Sequence, residues 1–505
     1  EIRLPDAMLT NRRRYLDPLN FAGNFVFFRD DDRMATRLAT ANYWHGYGAK
    51  NVRLWLRLYD GDGGTLAEFE QALPDNAGLI EIDSRELRRR HNLGPFTGQI
   101  FVHAIGISGH DVVKYALDTY ATDGGESLSC THDANAWPAE RFAGLPAPRE
   151  DEKVILWLQN SHGVPIPPGA VALDRMGAER PIALEEEIAP FATRALDVAA
   201  LFPGLRWPAQ LEVRAGRHVV RPRYEVVRDG RTRIAHVNVE RADLRPDPAI
   251  PNLPPALGRG FLLPFPILPR RNFRSIALPT PMAHHQADLP LRLDVFAPDG
   301  SPVLQHFLGD LPRDHALAAD LDDLLPEDAL PEGGHGELVY DFRDGGTADG
   351  WLHGLFRYES RQDGHAAETS FGAHMFNTIM TWKGEPQSYS GPPPGLSTRL
   401  FLDLGTAERE SFCALIYPAS SPWLPHSSTV LALHDREGGM VAEAPLSIAC
   451  SGSALVHPRQ IFAPEVLARA EGGYVLIRDA TCRLFGYHGK RGPKGGFSFD
   501  HMFGF

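Results

Sequence analysis

The chain has 505 residues, 43% apolar and 23% charged, with a formal net charge of −13. This composition excludes a disordered chain, and the length implies several domains at roughly 100–200 residues each. The acidic balance argues against nucleic acid as a partner, and no apolar run approaches the ~18 residues that a membrane span needs. With 48 Gly and 42 Pro, long helices are disfavoured and strands joined by turns are expected.

In chain order, residues 1–23 are expected to form an N-terminal arm and 24–136 a first β unit. Within that unit, 51–64 read NVRLWLRLYDGDGG: apolar residues alternate at period two, then a turn calls for positive φ. IEIDSRELRRR at 80–90 suits a short helical turn with an acidic cap. GQIFVHAIG reads as a further strand, and Tyr120 opens a hairpin whose return strand reaches His132.

The same order recurs three times. The unit at 150–243 carries VALDRMG, ALDVAALFPGL, AQLEVRAG, Tyr224 and His236. The stretch 244–378, a Pro-rich linker plus a third unit, carries LRLDVFAPDG, AADLDDLLPEDAL, GELVYDF, Tyr358 and His374. The unit at 396–505 carries STVLALHDREGG, HPRQIFAPEVLARA, GYVLIRDA, Tyr487 and His501. The third and fourth histidines are both followed by Met-Phe. Apolar residues in the linker ahead of the third unit (Phe261, Phe265, Ile267, Leu268) are expected to pack between units two and three, and Phe503 and Phe505 to dock on a neighbouring unit or a second chain.

The expected fold class is therefore all-β: four tandem, diverged β-sandwich repeats with short helical turns and Pro-rich linkers. The pattern resembles immunoglobulin-like and fibronectin-like modules in style, without the Cys…Trp…Cys signature of true immunoglobulin domains. Four cysteines make no disulfide framework. Buried free thiols are expected, with a Cys413–Cys482 bridge as the alternative. The chain starts at Glu1 without a Met or a leader-like segment, which leaves the compartment open; the free thiols favour the cytoplasm, with an exported form whose leader has been removed as the alternative.

Two functional readings follow. In the first, the chain is a non-catalytic binding or assembly protein, self-associating through sheet edges or holding a small molecule between repeats. In the second, the four units close into a ring and His132, His236, His374 and His501 converge on one transition metal (Fe, Cu or Zn), giving a non-haem-iron-like oxidoreductase. Asp133, Asn135, Asn238, Asn377 and Asp500 would then orient the rings. Separations of 104, 138 and 127 residues between successive histidines form no local ligand motif. GDGGT at 61–65 is read as a hairpin turn, and the runs Asp30–Asp32 and Arg88–Arg90 as solvated faces.

Overall fold

Alternation and turn chemistry act together in the hairpins. Arg53–Tyr59 pairs antiparallel with Thr65–Ala72, burying Leu54, Leu56 and Leu58. The turn between them closes when Asp60 accepts from the Gly64 N–H at 2.8 Å. Gly63 has φ 88°, and a Cβ there would lie 1.9 Å from the Pro190 carbonyl oxygen, so positive φ and close approach both call for glycine. Thr429–His434 and Met440–Leu446 repeat the device, with Asp435 accepting from the Gly439 N–H at 2.7 Å. Ala172–Arg175 with Ile182–Ala183, and Asp288–Phe296 with Pro302–Pro312, are the corresponding hairpins of the middle segments.

Short helical turns follow where an aspartate can cap them. Asp83 accepts from the N–H groups of Arg85 and Glu86, Asp197 from that of Ala199, and Asp320 from that of Asp322. The turn Pro458–Ile461 has no side-chain cap and starts instead with a proline, which has no N–H to satisfy.

The computed structural model describes residues 18–109, 112–133, 138–252, 261–373, 375–376, 379–382, 385–388, 398–406, 408–418, 424–480 and 482–504. It is nearly all β, 52% strand and 8% helix. Its sheets sort by sequence. Residues 18–133 make one eight-stranded sheet, 141–240 sheets of four and five strands, 261–388 sheets of seven and four, and 398–501 sheets of four and five.

Several strands fall where composition had suggested arms and linkers. Pro18–Asp30 is one strand, paired with Phe96–Ser108 along its length, so the chain is already in the first sheet before residue 24. Arg141–Pro146 pairs with Gln210–Arg214 and Asn238–Glu240, so the second segment begins ahead of residue 150. Phe261–Ile267 pairs with Gly334–Tyr340 on one side. On its other side only Phe261 and Leu262 are paired among the described residues, so Pro264 and Pro266, which lack donors, leave no ladder bond unmade there. Phe265 stacks on Phe356 at 4.5 Å and shares a core with Phe412, Ile416 and Tyr487, so this strand packs toward the fourth segment rather than between the second and third.

The last hairpin of each segment points inward. Their return strands are Leu128–Asp133, Arg231–His236, Ala366–Ala373 and Asp500–His501. Each packs against the next, and the fourth packs back on the first, closing a ring. Ion pairs cross the seams: Arg29–Glu225 at 3.0 Å and Arg231–Glu126 at 2.6 Å between first and second, and Arg233–Glu368 at 2.8 Å and Arg357–Glu152 at 3.2 Å between second and third. Lys490 and Arg37 join Asp118 and Asp403 between fourth and first. The third–fourth seam is mainly apolar, with the Tyr487 hydroxyl donating to the Pro264 carbonyl at 2.7 Å. Phe503 closes the circuit by stacking on Phe401 in a cluster with Ala41, Ala116 and Cys130, while Phe505 lies outside the described residues.

None of the four cysteines forms a disulfide among the described residues, so Cys413 and Cys482 are separate buried thiols. The acidic and basic runs answer each other: Arg88 pairs with Asp30 at 3.2 Å and with Asp32.

Burial raises the proton affinity of Glu152, but Arg357 and Arg233 outweigh it and hold the carboxyl at about 2. The folded value lies below the unfolded one of about 4.5. The stabilisation is therefore complete above pH 4.5 and is lost as pH falls toward 2. Glu152→Gln is expected to lower stability at pH 7 by ~3 kcal/mol, because two buried guanidiniums lose their partner, and to flatten the acid limb of denaturant midpoints measured between pH 5 and 2.

Candidate functional site

Ring closure brings three of the four candidate histidines together. The ring centroids of His132 and His501 are 3.8 Å apart, those of His132 and His236 4.9 Å, and those of His236 and His501 5.6 Å. His374 lies outside the described residues, as do Asn135 and Asn377. Asp500 joins the group, and one potential ligand atom from each of His132, His236, Asp500 and His501 lies within 4.8 Å of the others. Regular tetrahedral coordination at ~2.1 Å spaces ligand atoms by about 3.4 Å, so a small inward movement of the side chains accommodates an ion.

Strand position explains the convergence. His132 stands opposite Ala116, His236 opposite Arg223 and His501 opposite Tyr487, each at the inner end of its return strand. The tyrosines that mark these hairpins in sequence do not share one register: Tyr487 faces its histidine directly, Tyr224 faces Ala235, and Tyr120 faces Leu128.

Hydrogen bonds define which nitrogens are available. The Nδ1 of His236 lies 3.0 Å from the Val237 carbonyl, an acceptor only, so Nδ1 carries the proton and Nε2 the lone pair. That Nε2 is buried, has no hydrogen-bond partner among the described residues, and lies 3.8 Å from Asp500 Oδ1. The Nδ1 of His132 pairs with Asp500 Oδ2 at 2.9 Å, which leaves its Nε2 as the acceptor. The Thr369 hydroxyl donates to Asp500 Oδ1 at 2.5 Å and accepts from the backbone N–H of His501 at 3.2 Å. His501 also bonds to the Met502 backbone, and its ring lies 4.2 Å from that of Phe371.

Burial lowers the basicity of all three imidazoles well below the ordinary value, and the positive charge of Arg221 adds to this at each. The rings are therefore neutral, the state that donates a lone pair to a metal. Burial raises the proton affinity of Asp500, and His501 and the Thr369 hydroxyl act against it.

Sequence reading missed Arg221, Arg223 and Thr369. Arg223 is fully buried; it donates to the Tyr115 hydroxyl at 2.8 Å and to the Thr131 hydroxyl at 3.4 Å, and its Nη1 has no partner among the described residues. Arg221, two positions earlier, has a buried Nε that likewise lacks one. Neither arginine forms an ion pair among the described residues, although ion pairs hold most of the seams around them. Their R-P-R spacing ahead of Tyr224 was the one available signal, and it does not distinguish this pair from a solvated edge.

No family model matches the chain, and no curated protein matches it. Among solved structures, alpha-2-macroglobulin of E. coli in its native conformation aligns with 94% of this chain at 11% identity and a TM-score of 0.12. Dimeric latent PorU from Porphyromonas gingivalis aligns with 89% at 10% identity and a TM-score of 0.13. This chain spans 28% and 41% of those two chains, and superpositions this loose establish no shared fold.

A nearby buried histidine gives a test of the interior's polarity. Burial, with Arg221 acting in the same direction, holds His353 at about 3. Its unfolded value is near 6.5, so the neutral ring contributes stability above pH 6.5 that is lost as pH falls toward 3. His353→Asn is expected to remove close to one proton from the pH dependence of unfolding between pH 6 and 4. An unchanged slope in denaturant titrations would contradict a neutral His353.

Proposed function

We propose that the centre of the ring is a mononuclear transition-metal site and that the protein works through it as a metal-dependent oxidoreductase on a small molecule. The observation that carries this reading is the His236 Nε2, a buried lone pair without a hydrogen-bond partner among the described residues, set among His132, His501 and Asp500. A buried acceptor left unmade costs ~1–3 kcal/mol, and an ion removes that cost. On this reading His132, His236 and His501 are the protein ligands. Asp500 orients His132 and supplies the nearest counter-charge, and Val237 and Thr369 hold the outer shell. Imidazole donors suit iron, copper or zinc, and three protein ligands leave coordination positions for substrate. The equivalence of the four segments as diverged repeats belongs to the same proposal. It is supported by the recurring order of hairpin, capped turn, strand and inward hairpin, which would deliver one histidine per segment.

A binding role without chemistry has its own supporting observation. A cavity of about 600 Å³ lies between the third and fourth segments, lined by Phe273, Phe412, Phe497, His457 and Arg491. It is of the size that takes a small molecule.

Elemental analysis of protein expressed with metal supplied separates the two. Close to one mole of iron, copper or zinc per chain is expected, falling below a tenth of that in His236→Ala and His501→Ala variants that keep the wild-type circular dichroism. Metal-free protein under those conditions would sink the metal reading and leave the cavity as the functional feature.

A further inference from the structure

The mainly apolar seam between the third and fourth segments does not close completely, and a cavity of about 600 Å³ remains there. The third segment supplies Phe273, at the start of the strand Phe273–Thr280, and the fourth supplies Phe412, Phe497 and His457. Phe273 and Phe497 meet edge to face at 5.0 Å, and Phe412 stacks on His457 at 5.8 Å. The wall is thus built of ring edges and faces, the surface on which a further flat ring packs best. Leu455, on the same wall, is 38% exposed, so apolar surface there is left in contact with water.

Charge on the wall is not balanced. Arg271 and Glu332 bond to each other at 2.9 Å and cancel. Arg491 borders the cavity with its guanidinium carbon 6.0 Å from the centre of the Phe273 ring. Glu410 stands directly across the strand pair from Arg491, but its carboxylate is taken by Arg459 at 3.2 Å. Arg491 forms no ion pair of its own among the described residues. A guanidinium does not shed its proton, so one positive charge stands beside the aromatic wall.

We propose that this cavity binds an aryl carboxylate, its ring against Phe273, Phe412 and Phe497 and its carboxylate on Arg491. The proposal rests on the binding reading of the cavity, names the ligand class for it, and does not depend on metal at the centre of the ring. A neutral ring would cover the apolar wall and leave Arg491 without an anion. An inorganic anion would meet Arg491 and leave Leu455 and the ring edges wet. An aryl carboxylate does both, and its carboxylate matches the guanidinium fork in two parallel hydrogen bonds.

The test is calorimetric titration of the full chain with 2-naphthoate and with the neutral 2-naphthamide. Saturable binding of both is expected, with the acid about 5-fold tighter, the scale of a charge-assisted contact to an exposed side chain. Arg491 is exposed, so Arg491→Gln leaves the core intact. In that variant the naphthoate affinity is expected to fall to that of the amide, while the amide binds as in wild type. Ala454→Trp, at a half-buried lining position, should abolish binding of both in protein that keeps the wild-type circular dichroism. Equal affinity for acid and amide in wild type, or undiminished naphthoate affinity in Arg491→Gln, would overturn the proposal and leave the cavity as a site for neutral molecules. Binding of neither compound, or unchanged binding of both in folded Ala454→Trp, would remove the cavity reading as well.

Discussion

Closure of the four inward hairpins into a ring is the constraint on which the rest of the structure depends. Each return strand packs on the next, and the last packs on the first. Strand ends that would be solvent-exposed in an open array are thereby enclosed. The enclosure makes His132 and His236 buried residues and neutral imidazoles. It also brings Asp500, from the end of the chain, within 2.9 Å of a ring 368 residues earlier.

The seams are specified by charge as much as by apolar area. Glu152, Glu368, Arg233 and Arg357 form a buried four-membered set, and Asp118, Asp403, Arg37 and Lys490 a second. Buried ion pairs add little net stability over apolar residues of the same shape, but removing one partner is costly. A hairpin that docks in the wrong place leaves charges unpaired, so these sets favour one arrangement of the segments over others. The third–fourth seam relies on Phe265, Phe412 and Tyr487. There shape takes the part that charge plays at the other seams.

The proposed centre follows from the same geometry. Hydrogen bonding assigns a proton to one nitrogen of His236 and leaves the other facing the cluster.

Much of the local structure was legible in the amino-acid order. Period-two alternation with an Asp/Gly turn marked Arg53–Tyr59 and Thr429–His434, and Asp83, Asp197 and Asp320 marked the helical turns they cap. These features depend on neighbours a few residues apart, so the sequence carries them whole. Prolines concealed Arg141–Pro146 and Phe261–Ile267, because a proline at a strand's open edge and a proline in a linker look alike until the partner strands are known. By itself the sequence determined the alternating strands, the Asp/Gly turns, the aspartate caps and, among the described residues, the histidines at three inward hairpin ends. Only the tertiary structure decided that His132, His236 and His501 meet, that Asp500 pairs with one of them, and that Thr369 bonds to that aspartate. Those contacts join residues from different segments, and only packing around a closed ring sets the distances between them.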